Sequence, residues 1–159
     1  MPAVMDASRN TVRLQFLHGD VVCFAMEQAG IPIVRDLRVY NDGIESLVGA
    51  ELGIQLQPDL GAEMRFSIPA LASGEVHELG RPDVRLEPGR LRKVIERERA
   101  TLCLRVYAQG ECLAEEIRDV DVLAFNEWPG QRTPIGLLAS FVTPNQTALV
   151  PLVSDVKSA

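Results

Sequence analysis

With 159 residues the chain has the size of one domain, and its 47% hydrophobic and 24% charged content excludes intrinsic disorder. Twenty-two acids against sixteen bases give a formal charge of −6, so the whole-chain field repels a phosphate backbone and only a local basic patch could serve nucleic acid. No apolar run is long enough to span a membrane, and Asp6, Ser8, Arg9 and Asn10 interrupt the stretch a signal peptide would need, so a cytoplasmic address is expected.

In chain order, the dominant period is two. Val12, Leu14 and Phe16 alternate with Arg13 and Gln15, which predicts a half-buried strand, and Val21 to Phe24 reads as its hairpin partner across His18-Gly19-Asp20. Ile33, Leu37 and Val39 make a further strand that stops at the turn Asn41-Asp42-Gly43. Val48, Ala50, Leu52, Ile54 and Leu56 share one parity, the cleanest alternation in the sequence. Short strands follow at Met64 to Ile68, Glu75 to Leu79 and Asp83 to Leu86, with Pro, Gly or Ser between them. Pro88-Gly89 then opens a stretch with Leu91, Val94 and Ile95 at helical spacing, which predicts a short helix near 89–97. Leu102, Leu104 and Val106 alternate with Cys103, Arg105 and Tyr107 up to a turn at Gln109-Gly110, and a last strand carries Val120 and Val122 against Asp119 and Asp121. Behind Pro134, the offsets of Leu137, Leu138, Phe141 and Val142 predict a helix at 134–143. Many short strands separated by turn signals predict an antiparallel sandwich or barrel of seven to nine strands, a single domain over 1–145. Residues 146–159 read as a tail, either helical or the start of a linker.

Reactive chemistry finds little support. Cys23, Cys103 and Cys112 lack CxxC spacing and read as reduced, mostly buried apolar groups. His18 and His77 have no second ligand at zinc spacing, no serine sits in a GxSxG elbow, and no GxxxxGK[ST] loop occurs, so no metal or cofactor is expected. Two stretches invite closer reading. In "VLAFNEWPG", Glu127 could act as a general acid or base, but that chemistry needs a second carboxylate and the sequence nominates none. The preferred reading is a structural corner: Trp128 covers one end of the core, Gly130 follows in a turn, and Asn126 and Glu127 hydrogen-bond backbone groups freed where the last strand ends. The second stretch, 81–99, has seven bases against four acids, and Arg90, Arg92, Lys93 and Arg97 could contact nucleic acid. Interleaved acids favour a solvated face with intrahelical ion pairs instead. Acids at Glu115, Glu116, Asp119 and Asp121 offer a mate to such a basic patch on another copy, so a homo-oligomer is a further candidate assembly.

The runs "FAMEQAGIPIVRDLRVYNDG" and "DVLAFNEWPG", the latter followed by "LLASFVTPN", carry a resemblance. They resemble the N-terminal β-sandwich domain of large bacterial multidomain proteins of the superfamily 1 helicase-like type, through Asn126, Glu127, Trp128 and Gly130 and then Phe141, Val142, Pro144 and Asn145. The resemblance spans about residues 24–145 and implies an immunoglobulin-like accessory domain. The motor's phosphate-binding motifs are missing here, so ATPase activity is not implied. The expectation is therefore a non-enzymatic module, mainly β, whose exposed strand edges engage a protein partner or linked helicase-like domains; a small nucleic-acid-binding domain is the alternative.

Overall fold

Alternation along two central strands sets the layers of the molecule. The computed structural model describes residues 11–127. Over those residues the order is β1 (Val12–His18), β2 (Val21–Val22), α1 (Phe24–Gln28), β3 (Val34–Asn41), β4 (Ala50–Gln57), β5 (Met64–Ile68), β6 (Val76–Glu78), α2 (Pro88–Leu91), β7 (Glu98–Ala108) and β8 (Glu111–Val122). A three-stranded sheet, β1-β3-β6, faces a five-stranded sheet, β2-β8-β7-β4-β5. All the pairings are antiparallel except that of β2 with β8. Leu52, Ile54 and Leu56 of β4 and Leu102, Leu104 and Val106 of β7 turn inward against Leu14, Leu37 and Val39 of the smaller sheet, forming one apolar cluster. The molecule is thus mainly β with two packed sheets, as the repeated short alternating runs predicted.

Several local expectations are corrected. Val21 to Phe24 is not the hairpin partner of the first strand. The chain leaves one sheet at His18 and enters the other at Val21, where β2 runs parallel to β8. Gly19 makes the transfer, its N–H donating to the Ile33 carbonyl at 2.8 Å. After Cys23 the chain forms α1, a helix absent from the sequence reading, built on Ala25, Met26, Glu27 and Gln28 and closed by Gly30 at φ +64°. The register of β1 on β3 shifts at Leu17/His18, so Val34 and Leu37, three residues apart, both point inward.

Further along, Val48 lies outside the alternation. Gly49 at φ +65° breaks the extended run before Ala50, leaving Val48 59% exposed. Asp83 to Leu86 forms no ladder; there the Val84 N–H turns back to the Pro82 carbonyl and the Arg85 N–H meets Met64 Sδ at 3.2 Å. The helix expected near 89–97 is one turn, α2. Leu91 and Val94 are fully buried, but Ile95 is 82% exposed, because the Val94 carbonyl accepts the Phe125 N–H at 2.8 Å and draws the chain out of the helix. The last strand, expected to carry Val120 and Val122, begins directly after the Gln109-Gly110 turn and runs unbroken as β8. The helix predicted at 134–143, the tail 146–159 and the first ten residues of the predicted domain lie outside the described residues.

Asn41, read in the sequence as a turn residue, is the one buried polar residue among those described. Its Nδ2 donates toward the carbonyls of Glu45 (2.8 Å), Leu71 (3.0 Å) and Ala72 (3.1 Å), while its Oδ1 accepts the Gly43 N–H at 3.1 Å. One side chain therefore satisfies backbone groups on two separate loops at the same end of the sandwich. Asn41→Ala is expected to cost about 3 kcal/mol in chemical denaturation, because these groups lose the partner that a fully buried side chain supplies. Asn41→Asp should cost more at neutral pH and recover part of the loss in acid, as protonation removes a carboxylate facing three carbonyls. A change within about 0.5 kcal/mol for Asn41→Ala would contradict the assignment.

Candidate functional site

The corner and the basic segment, nominated separately from the sequence, meet. Beyond β8 the Leu123 N–H still bonds the Val22 carbonyl, and the chain then turns so that the Glu127 N–H donates to the Ala124 carbonyl at 2.9 Å. The Glu127 carboxylate in turn accepts the Ala124 N–H at 3.2 Å and pairs with the Arg97 guanidinium. Arg97 also lies 3.6 Å from Asp121, so it bridges two acids. Its hydrogen bond holds the Glu127 carboxyl below the usual carboxylate range, helped by the Ala124 N–H. A carboxylate kept ionised this way is unsuited to donating a proton. Asn126 is exposed, and Trp128 and Gly130 lie outside the described residues.

Of the other cations in the segment, Arg90 is tied to Glu98 and, at 3.3 Å, to Asp59. The Arg92 guanidinium lies 5.6 Å from the Phe24 ring centroid, and neither Arg92 nor Lys93 has an ion pair among the described residues. The ion pairs expected within a helix are instead long-range, with Arg97 reaching thirty residues to Glu127 and Arg90 thirty-one to Asp59. The four cations do not make one free patch.

The acids nominated at Glu115, Glu116, Asp119 and Asp121 all lie on β8. Among the described residues β2 pairs only with Asp121 and Val122, which leaves the free side of Glu111–Val120 without a partner strand. The direction of its backbone groups follows from the β2 contact. The Asp121 N–H donates to the Asp20 carbonyl at 2.9 Å on that side, so by the two-residue period the N–H and C=O of Asp119, Ile117 and Glu115 point the same way. The register shift between β7 and β8 falls at Val106/Tyr107, clear of this stretch. The same three side chains stand on the outer face, opposite Thr101, Cys103 and Arg105. Glu115 pairs with Arg105 at 2.6 Å, Ile117 is 50% exposed, and Asp119 has no ion pair among the described residues. On the inner face, Glu116 and Arg118 pair at 2.8 Å and the Arg118 guanidinium lies 5.2 Å from the Phe16 ring, so charge and aromatic surface mark the rim where β1 approaches β8.

A second cluster, on the outer face of β4, escaped the sequence reading. A Cβ on Gly53 would stand 2.6 Å from Glu63 Oε1 and 3.1 Å from the Tyr107 ring, so any other residue there would displace the Glu63 carboxylate from its present place. The Tyr107 hydroxyl donates to Glu63 at 3.1 Å, and Arg65 lies over the ring while pairing with Glu51 and Glu63. Burial and the Glu63 carboxylate push the Tyr107 hydroxyl up from its ordinary value. A hollow of about 270 Å³ beside this cluster, lined by Glu51, Arg65 and Gln109, is partly open to solvent. The isolated Gly in a hydrophobic run was the only signal of it. Cys23 and Cys103 are buried, Cys112 is exposed, and burial raises the thiol pKa of the first two.

Neither the family models nor the curated proteins include one that matches this chain. Among the described residues, no three or more His, Cys, Asp or Glu side chains cluster closely enough to hold a metal ion, and no helix is long and apolar enough to cross a membrane.

Because the folded Glu127 carboxyl titrates lower than an unfolded one, its contribution to stability is present above the unfolded pKa of about 4.3 and is lost as pH falls through the folded value. Glu127→Gln is expected to lower the thermal midpoint at pH 7 and to differ progressively less from the parent chain towards about pH 2.5. A gap of the same size at both pH values would show that the ion pair with Arg97 is not its origin.

Proposed function

We propose that this chain is a non-enzymatic protein-interaction module, an immunoglobulin-like sandwich that positions a partner beside a helicase-like nucleic-acid-processing protein. The observation that carries the reading is the uncovered side of β8, where ten consecutive residues, Glu111–Val120, have no partner strand among the described residues. Unpaired backbone groups of that kind are satisfied at least cost by strand addition. The switch of the first strand between sheets, with β2 parallel to the last described strand, supports the immunoglobulin-like assignment. The resemblance through Asn126 to Gly130 and Phe141 to Asn145 supports the association with helicase-like proteins, whether as a separate partner or as linked domains. Three cysteines without disulfides among the described residues suit a reducing, cytoplasmic setting.

The nucleic-acid reading gains no matching support, because Arg90 and Arg97 are engaged by acids and, of the four nominated cations, only Arg92 and Lys93 have no ion pair among the described residues. Selection of peptide ligands from a random library, followed by hydrogen exchange of the complexes, is expected to give ligands that slow exchange at Glu115, Ile117 and Asp119. Titration with single- and double-stranded DNA at two salt concentrations is expected to show no salt-sensitive binding. Binding to DNA that weakens with salt and with Arg92→Ala would return the function to nucleic acid.

A further inference from the structure

We infer that the open side of β8 selects a basic extended segment of a partner polypeptide, with cationic side chains at two positions flanking an apolar one, each two residues apart. The inference rests on the reading of β8 as a partner surface and adds the chemistry of what it takes. Backbone and side chains coincide here: Glu115, Ile117 and Asp119 direct their main-chain groups to the open side and carry their side chains on one face. A strand laid along this edge would place one residue opposite each of them, and opposite charges or apolar pairs across a ladder are the favourable combinations. Ile117 calls for an apolar neighbour, while Glu115 and Asp119 call for cations.

Asp119 has no ion pair among the described residues, and a cation opposite it would give it one. Glu115 is held by Arg105 from the β7 side through one carboxylate oxygen, and a cation on the other side would continue an alternation of charge across the face. The formal charge of −6 on the chain adds an attractive field for a basic partner.

A second copy of this chain is the wrong occupant. Antiparallel pairing of two β8 edges centred on Ile117 would set Glu115 against Asp119 twice, and like charges directly opposite are destabilising. Glu116 and Arg118, which would face each other across that pairing, already satisfy one another within one chain.

The test uses the full chain and three labelled ten-residue peptides. One carries Lys, Ile and Lys at alternate positions with Thr between; one has the same composition with the lysines adjacent; one replaces both lysines by Glu. The first is expected to bind best, to weaken with salt and to slow amide exchange at Glu115, Ile117 and Asp119. Asp119→Lys should weaken it roughly fivefold at low salt and improve the Glu peptide. Ile117→Pro should abolish binding while the chain stays folded, because that N–H points away from the sheet; Asp119→Lys keeps the test open should Ile117→Pro unfold.

Equal binding of all three peptides with the same amides slowed would overturn the charge code and leave the interaction reading standing. No slowing by any peptide, nor by selected ligands, would remove both. A mass that grows with concentration when no peptide is present, and that Asp119→Lys changes, would assign the edge to a second copy and overturn the inference.

Discussion

The pairing of β4 with β7 is the constraint on which the other elements depend. From Ala50 opposite Ala108 to Gln57 opposite Thr101, even-numbered residues of both strands face the core and odd-numbered ones face outward. Slipping the pair by one residue would drive Glu51, Gln55 or Arg105 into the space that Leu52, Ile54 and Leu104 now fill, which no partner there could satisfy. The register is therefore fixed by burial, and β5 and β8 inherit it through their own ladders. What β8 shows to solvent follows from that inheritance: odd residues outward in their side chains and, by the β2 contact, outward in their main-chain groups as well.

The charged groups divide into those that close the fold and those left over. Arg97, between α2 and β7, joins Glu127 and Asp121, while Arg90, in α2, joins the distant Asp59 and Glu98 at the start of β7. Exposed pairs of this kind contribute little individually, but they determine which charges are free to meet a partner. At the opposite end of the sandwich Asn41 does the comparable work without charge, tying two loops to the end of β3. Asp119 and Ile117 belong to neither closure, and they stand in the second half of the stretch of β8 whose free side has no partner strand among the described residues.

Much of this was legible in the sequence. Leu52-Ile54-Leu56 and Leu102-Leu104-Val106 announce the core because period-two burial is a local property of the chain. Helix α1 was masked because Val21 and Val22 look like the start of a longer strand, although Ala25-Met26-Glu27-Gln28 before Ala29-Gly30 are ordinary helix residues and a stop. The transfer between sheets at Gly19 depends on a contact with Ile33 that no local pattern records. Arg97 and Glu127 were each singled out, yet for different roles, because their meeting across thirty residues is set by the tertiary fold. Gly53 stands out in its apolar run, but what it admits is hidden for the same reason: its lack of a side chain matters only once Tyr107 and Glu63 lie across it.

Amide hydrogen exchange along β8 in the free chain bears most directly on the central claim. Inherited register requires a two-residue rhythm, with Glu115, Ile117 and Asp119 exchanging fast and Glu116 and Arg118, turned to Leu104 and Leu102 of β7, exchanging slowly. Uniform protection of all five would mean that the edge is covered, and uniform fast exchange would mean that β8 does not hold its place on β7; either result would contradict the account.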